Sequence, residues 1–216
     1  MKFDSDSFYD RAFSRNRGLI SDTEQAKLKN TRVAIPGMGG MGGVHAATLA
    51  RTGIGKFTIA DFDQFDVHNI NRQHGAMAST IGQDKALVME SVIKDINPSA
   101  EVQVINQAID TMNVDDFLAD VDVMIDALDV FVIDVRRLLY RRAREIGIPV
   151  VSAGPIGFSG VVNVFTPNGD LSNDVFTVIG TNLKSIDCVI YNRWGQLLYS
   201  WETLGGLWDG DDAPDG

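Results

Sequence analysis

Five groups of residues in the first two thirds of this 216-residue chain have types and spacing suited to handling a polyphosphate. Glycines stand at Gly37, Gly39, Gly40, Gly42 and Gly43, where a chain without Cβ atoms lets backbone N–H groups approach phosphate oxygens. Asp61 and Asp63 follow, and Asp61 lies nineteen residues beyond Gly42, a separation at which a carboxylate commonly accepts hydrogen bonds from ribose hydroxyls. Asn69, Arg72 and Gln73 come next, then Lys85. A guanidinium and an ammonium together can neutralise the β and γ phosphates and a departing pyrophosphate. Asp126 and Asp129 add two carboxylates, with Asp129 as the candidate ligand of Mg2+ between phosphates and Asp126 as its support. The glycines alone would suit a tight turn or a dinucleotide site. The cations after the acids favour a triphosphate, because a nicotinamide dinucleotide needs Arg72 only if it carries a 2′-phosphate, which Asp61 would repel.

These residues must be positioned by elements that the patterning predicts. Strands are expected at 33–35, 57–60, 102–105, 121–127, 149–153 and 161–165. Between them the spacing predicts a helix from the glycines to about 51, a polar loop to about 82, and a helix over 85–96. That helix is expected to bury Leu87, Val88, Ser91, Val92 and Ile96. A short helix near 114–118 and a longer one over 132–146 follow, the latter with Arg136, Arg137, Arg141, Arg142 and Arg144 on its wet side. Alternating strands and helices predict an α/β fold: a doubly wound, mostly parallel sheet with its ligand beyond the carboxyl ends of the strands.

Composition sets the outer bounds. Nineteen Lys and Arg against 29 Asp and Glu give a net charge of −10, which argues against general nucleic-acid binding. No stretch approaches the ~20 apolar residues of a membrane span. Residues 1–6 lack the apolar run of a signal peptide, so a cytoplasmic protein is expected. One cysteine excludes an intrachain disulfide and a four-cysteine zinc site. Composition also shifts along the chain: all three tryptophans and Cys188 lie beyond Pro167, and all seven methionines and three histidines before it. Two domains are therefore expected, 1–167 and 168–216, the second a short antiparallel β segment with strands near 175–179, 188–191 and 196–199.

Taken together, the glycines from Gly37 to Gly42, Asp61-Phe62-Asp63, Asn69-Ile70-Asn71-Arg72-Gln73, Gly82-Gln83-Asp84-Lys85 and Ile125-Asp126-Ala127-Leu128-Asp129 resemble the ThiF/MoeB adenylyltransferase family, relatives of ubiquitin-activating enzymes. The likeness covers residues 8–167. It implies a Rossmann-like domain that binds ATP and Mg2+ and activates a carboxylate as an acyl-adenylate, releasing pyrophosphate. On that resemblance Gly37, Gly39, Gly40, Gly42, Asp61, Asp63, Asn69, Arg72, Gln73 and Lys85 hold the nucleotide, and Asp129 the metal. Arg15, Arg72 and Lys85 are the catalytic cations. Phe13-Ser14-Arg15-Asn16 looks like the family's N-terminal arginine motif, which implies a homodimer in which Arg15 reaches the neighbouring subunit's ATP. A carboxylate is already ionised at neutral pH, so no general base is required.

The carrier of that carboxylate stays open among a ubiquitin-like or sulfur-carrier protein, a peptide and a small acid. Three features depart from the family, the third being the continuation past 161–165, where family members add structure that helps build the substrate groove. Val130 follows Asp129 where an Asn is usual, and no thiol precedes Cys188, so a thioester step is not expected. Residues 165–216, including Tyr191-Asn192-Arg193-Trp194-Gly195, resemble a truncated gliding-motility-associated C-terminal domain, a type IX secretion sorting signal. The alternative reading is a catalytically impaired nucleotide-binding or interaction protein. A nicotinamide-dependent oxidoreductase is the third, and Arg72 and Lys85 count against it.

Overall fold

A computed structural model describes residues 5–129, 131–156, 159–167, 175–178, 188–191, 197–201 and 207–208. Val130, the Asn168-Gly169 turn and Trp194 lie outside them. The chain divides into two units, Met1–Leu139 and Tyr140–Gly216.

In the first unit two helices, α1 (Ser5–Ala12) and α2 (Asp22–Asn30), precede the sheet. Helix α2 starts at a reciprocal cap: the Ser21 hydroxyl accepts from the Glu24 N–H, and the Glu24 carboxylate accepts from the Ser21 N–H. The remaining elements alternate as β1 (Arg32–Pro36), α3 (Gly40–Thr52), β2 (Lys56–Ala60), α4 (Lys85–Ile96), β3 (Glu101–Ile105), α5 (Val114–Phe117), β4 (Val123–Asp126) and α6 (Ile133–Glu145), the last running across the division. Helix α3 ends at Gly53, whose φ of +97° is left-handed. A Cβ there would sit 2.7 Å from the Tyr9 hydroxyl oxygen, so glycine also lets α1 close on the helix end.

The four strands of this unit are parallel, in the order β3-β2-β1-β4. Successive strands run outward from β1 to β3, and the chain then returns to the other side of β1 for β4. That reversal makes the fold doubly wound and opens a crevice at the carboxyl ends of β1 and β4. All five residues of β1 are buried, as a strand covered on both faces requires. The core gathers Val33, Ile35, Phe57 and Ile59 from the sheet with Met89 and Ile93 from α4.

Two expectations are corrected here. Helix α4 buries Lys85, Ala86, Val88, Met89 and Ile93, while Leu87 is exposed. The stripe that meets the sheet follows Ala86, Met89 and Ile93, the i, i+3, i+7 spacing of one helical face. On α6, Arg136 is not on the wet side: it is half-buried and turned toward Asp126.

In the second unit β5 (Val150–Ile156), β6 (Ser159–Thr166), β7 (Val175–Val178) and β10 (Leu207–Trp208) pair antiparallel in sequence, and β8 (Cys188–Tyr191) pairs antiparallel with β9 (Leu197–Trp201). The two units meet between Leu139 and Tyr140. Seven registered pairs join β5 to β6, and β6 pairs in turn with β7, so backbone hydrogen bonds tie residues 150–166 to a strand beyond 167. Among the described residues no helix is long and apolar enough to cross a membrane.

Candidate nucleotide site

A cleft of ≈ 340 Å³ lies at the carboxyl ends of all four parallel strands, within the range of small-molecule sites, about 300–1,000 Å³. It is lined by Gly37, Gly39 and Gly40 after β1, Asp61 to Asp63 after β2, Gln107 to Ile109 after β3, and Ala127 to Asp129 after β4. Arg72, Gln73 and Lys85 also line it.

The glycines divide by function. Gly37 has φ +89°, and a Cβ there would lie 2.9 Å from the Ala127 carbonyl oxygen. A Cβ on Gly42 would lie 1.7 Å from the Gly37 carbonyl oxygen, far inside van der Waals contact. These two glycines let the loop fold back against α3. Gly39 and Gly40 meet nothing of the protein closer than 3.6 Å, so packing does not require them to be glycine. They face the cleft at the amino end of α3, where unpaired N–H groups and the helix dipole favour an anion.

Asp61 ties the loops together. Its Oδ2 accepts from the Met38 N–H at 2.7 Å and its Oδ1 from the Asp63 N–H at 2.8 Å. Burial pushes the Asp61 carboxyl above its ordinary value, against the pull of those two N–H groups and of Lys85. The Asp63 carboxylate takes Lys85 Nζ at 3.1 Å, and the Lys85 N–H donates to the Asp63 carbonyl at 2.9 Å. Arg72 Nη1 donates to the His68 carbonyl at 2.8 Å, which lays an exposed guanidinium along the cleft wall. Gln73 is buried with its Oε1 unpaired.

Three expected residues stand elsewhere. Asn69 is buried outside the cleft lining and holds the turn: its Oδ1 accepts from the Asp66 N–H at 3.0 Å, and its carbonyl accepts from Arg72 and Gln73 N–H groups at 3.1 and 2.9 Å. It positions Arg72 and Gln73 from behind. Asp126, 2% exposed, accepts from Arg136 Nε at 2.7 Å and from the Leu128 N–H at 3.1 Å, while Arg136 Nη2 donates to the Leu128 carbonyl at 2.7 Å. This pair fixes the loop that carries Asp129. Arg15 is exposed on a 3-10 turn, Ser14–Asn16, and does not line the cleft of its own chain.

Asp129 is exposed at the cleft edge, its Oδ1 accepting from the Phe131 N–H at 3.3 Å. Among the described residues no three His, Cys, Asp or Glu side chains are grouped to hold a metal by themselves. A Mg2+ that takes one carboxylate, phosphate oxygens and water fits that donor set. Lining residues outside the motifs are Gln107, Ala108, Ile109, Val132 and Val135. The carboxyl end of β3 was the available signal for the first three. A larger cavity of ≈ 450 Å³ in the second unit, beside Tyr140, Arg144 and Phe165, has no glycine loop.

Comparison with known proteins agrees with this geometry. The chain is 36% identical over 142 residues to the tRNA threonylcarbamoyladenosine dehydratase of Bacillus subtilis (strain 168), covering 65% of this chain and 55% of that protein. It is 32% identical over 150 residues to the molybdopterin-synthase adenylyltransferase of Escherichia coli (strain K12), covering 69% and 59%. The crystal structure of E. coli tRNA N6-threonylcarbamoyladenosine dehydratase in complex with ATP superposes with a TM-score of 0.65 at 31% identity, covering 72% of this chain and 65% of that one. The chain thus spans less than two thirds of the length of each of these relatives. The model of the ThiF family matches residues 13–191, through the cleft and on past 167 into the stretch whose likeness to a secretion domain was expected. A glycine loop at the switch point of a doubly wound sheet, in a chain matched over that length, makes this protein a member of the ThiF family.

Proposed function

We propose that the chain is an ATP-dependent adenylyltransferase that activates a carboxylate as an acyl-adenylate. The observation that carries this reading is the meeting of Gly39 and Gly40, open toward the cleft without steric need, with Arg72 and Lys85 in the same cleft. Backbone N–H groups at the start of α3 suit phosphate oxygens, and the two cations suit the charge that grows on pyrophosphate as it leaves. A substrate carboxylate oxygen attacks the α-phosphorus, the bond to the bridging oxygen of pyrophosphate breaks, and both electrons leave with pyrophosphate. Positioning and charge neutralisation are what the protein supplies. Asp61 retains lone pairs for a ribose hydroxyl beside its two backbone bonds. Asp129 would hold Mg2+, whose chemistry is to neutralise the phosphates.

The relatives named above differ in the molecule they act upon, a tRNA nucleoside in one name and a protein in the other. For this chain, net charge −10 favours a protein or small-acid carrier over a nucleic acid. Arg15, exposed and away from its own cleft, is assigned to the nucleotide of a second copy in a homodimer. The test is ATP–pyrophosphate exchange with Mg2+ against protein C-termini, small acids and modified tRNA, beside direct ATP binding. Exchange that depends on one of these establishes adenylation and identifies the carrier. ATP binding without exchange for any of them supports the impaired nucleotide-binding reading.

A further inference from the structure

We propose that Asp63 is a specificity-determining residue of the cleft: its carboxylate occupies the place of an anionic ligand group on Lys85, and only a ligand with charge enough to replace it gains that cation. The inference rests on the nucleotide reading of the cleft and concerns which ligands that cleft admits.

The ion pair is asymmetric. The Lys85 side chain is 8% exposed and that of Asp63 is 55% exposed, with 3.1 Å between Nζ and Oδ2. Lys85 cannot leave: it is the first residue of α4, and its N–H is bonded to the Asp63 carbonyl. An ammonium so enclosed requires a counter-charge. Its place at the amino end of a helix adds to the positive potential there, which makes an anion beside it more necessary still. The Asp63 carboxylate, by contrast, can turn into water at little cost, while the Asp61 bond to its N–H holds the backbone where it is.

An arriving phosphate therefore exchanges one oxygen anion for another on a cation that stays put. A neutral nucleoside offers nothing to exchange and leaves the pair closed. Asp63 in this view is not a ribose ligand.

Calorimetric titration of the full chain with inorganic pyrophosphate, ATP and adenosine, for the wild type, Asp63→Asn and Lys85→Met, tests this. Asp63→Asn is expected to bind pyrophosphate and ATP about three- to tenfold more tightly, since the resident competitor is gone. Adenosine binding should not change, and the ligand-free variant should melt lower than the wild type because Lys85 has lost its partner. In a Lys85→Met background, Asp63→Asn should have no further effect on pyrophosphate. Pyrophosphate affinity that is unchanged or weakened in Asp63→Asn overturns the proposal, and leaves the adenylyltransferase reading standing if the wild type binds ATP. Failure of all variants to bind ATP or pyrophosphate overturns both.

Discussion

Gly40→Ala and Gly42→Ala separate a glycine that serves the ligand from one that serves the fold, although they stand two positions apart on α3. At Gly42 the added methyl would lie 1.7 Å from the Gly37 carbonyl oxygen and 2.8 Å from its carbon, both backbone atoms. Loop and helix would have to separate by well over an ångström. Overpacking of this kind costs about 1–3 kcal/mol or more, and the gain of about 1 kcal/mol from alanine in a helix offsets only part of it. At Gly40 the nearest atom is the Arg72 carbonyl oxygen at 3.6 Å, an ordinary contact, so the fold should be unaffected or slightly stabilised. Its methyl would instead stand between a phosphate oxygen and the N–H groups of the first turn. Loss of one charge-assisted hydrogen bond, about 1.5–3 kcal/mol, corresponds to roughly 10- to 150-fold weaker ATP binding. Urea melts and ATP titrations of both variants form the assay. A Gly42→Ala chain as stable as the wild type, or a Gly40→Ala chain that binds ATP equally well, would refute the division of roles.

Three further outcomes are expected. Lys85→Ala and Arg72→Ala should each weaken ATP binding about tenfold in equilibrium titration, with the fold retained by circular dichroism; unchanged affinity in both removes the phosphate end of the site. Arg136→Met removes the guanidinium from a carboxylate that is 2% exposed and should cost about 3 kcal/mol in urea unfolding, whereas a loss below about 0.5 kcal/mol would mean that the pair does not anchor the Asp129 loop. Glu101, hydrogen-bonded to the buried Arg32, has its carboxyl held below its ordinary value of 4.5 by that bond and by the arginine's charge. Because the folded value is depressed, this stabilisation is complete above the ordinary value and disappears as pH falls through the folded one. Glu101→Gln should thus lose about 1 kcal/mol at neutral pH and converge with the wild type in acid; equal stability at pH 7 would dismiss the pair.

The parallel strands, the glycine loop and the carboxyl-edge location of the site were legible because each rests on local signals: buried runs, glycine spacing, and charges placed just after strands. Phase and pairing escaped. Leu87 and Met89 both fit apolar helical faces in α4, and only the position of the sheet decides that Met89 turns inward. Arg136 read as one of five wet arginines because its partner, Asp126, lies across an intervening loop. The turn that Asn69 closes through its Oδ1 was likewise not legible from spacing.

The same distinction governs the chemistry. Sequence order determines which charges arrive at one edge of the sheet, and Asp61, Asp63, Arg72, Lys85 and Asp129 do arrive there. It does not determine which of them are already engaged with each other. Asp61 uses both oxygens on backbone N–H groups, and Lys85 is paired with Asp63, so of the two cations only Arg72 meets an incoming anion without displacing a carboxylate. On the proposed reading the order of events on binding would follow from exposure: the exposed guanidinium engages first, and the buried ammonium once a phosphate has replaced Asp63. Under that proposal the cleft would retain polyphosphates by two cations and neutral ligands by one at most, a selectivity that no single motif in the chain encodes.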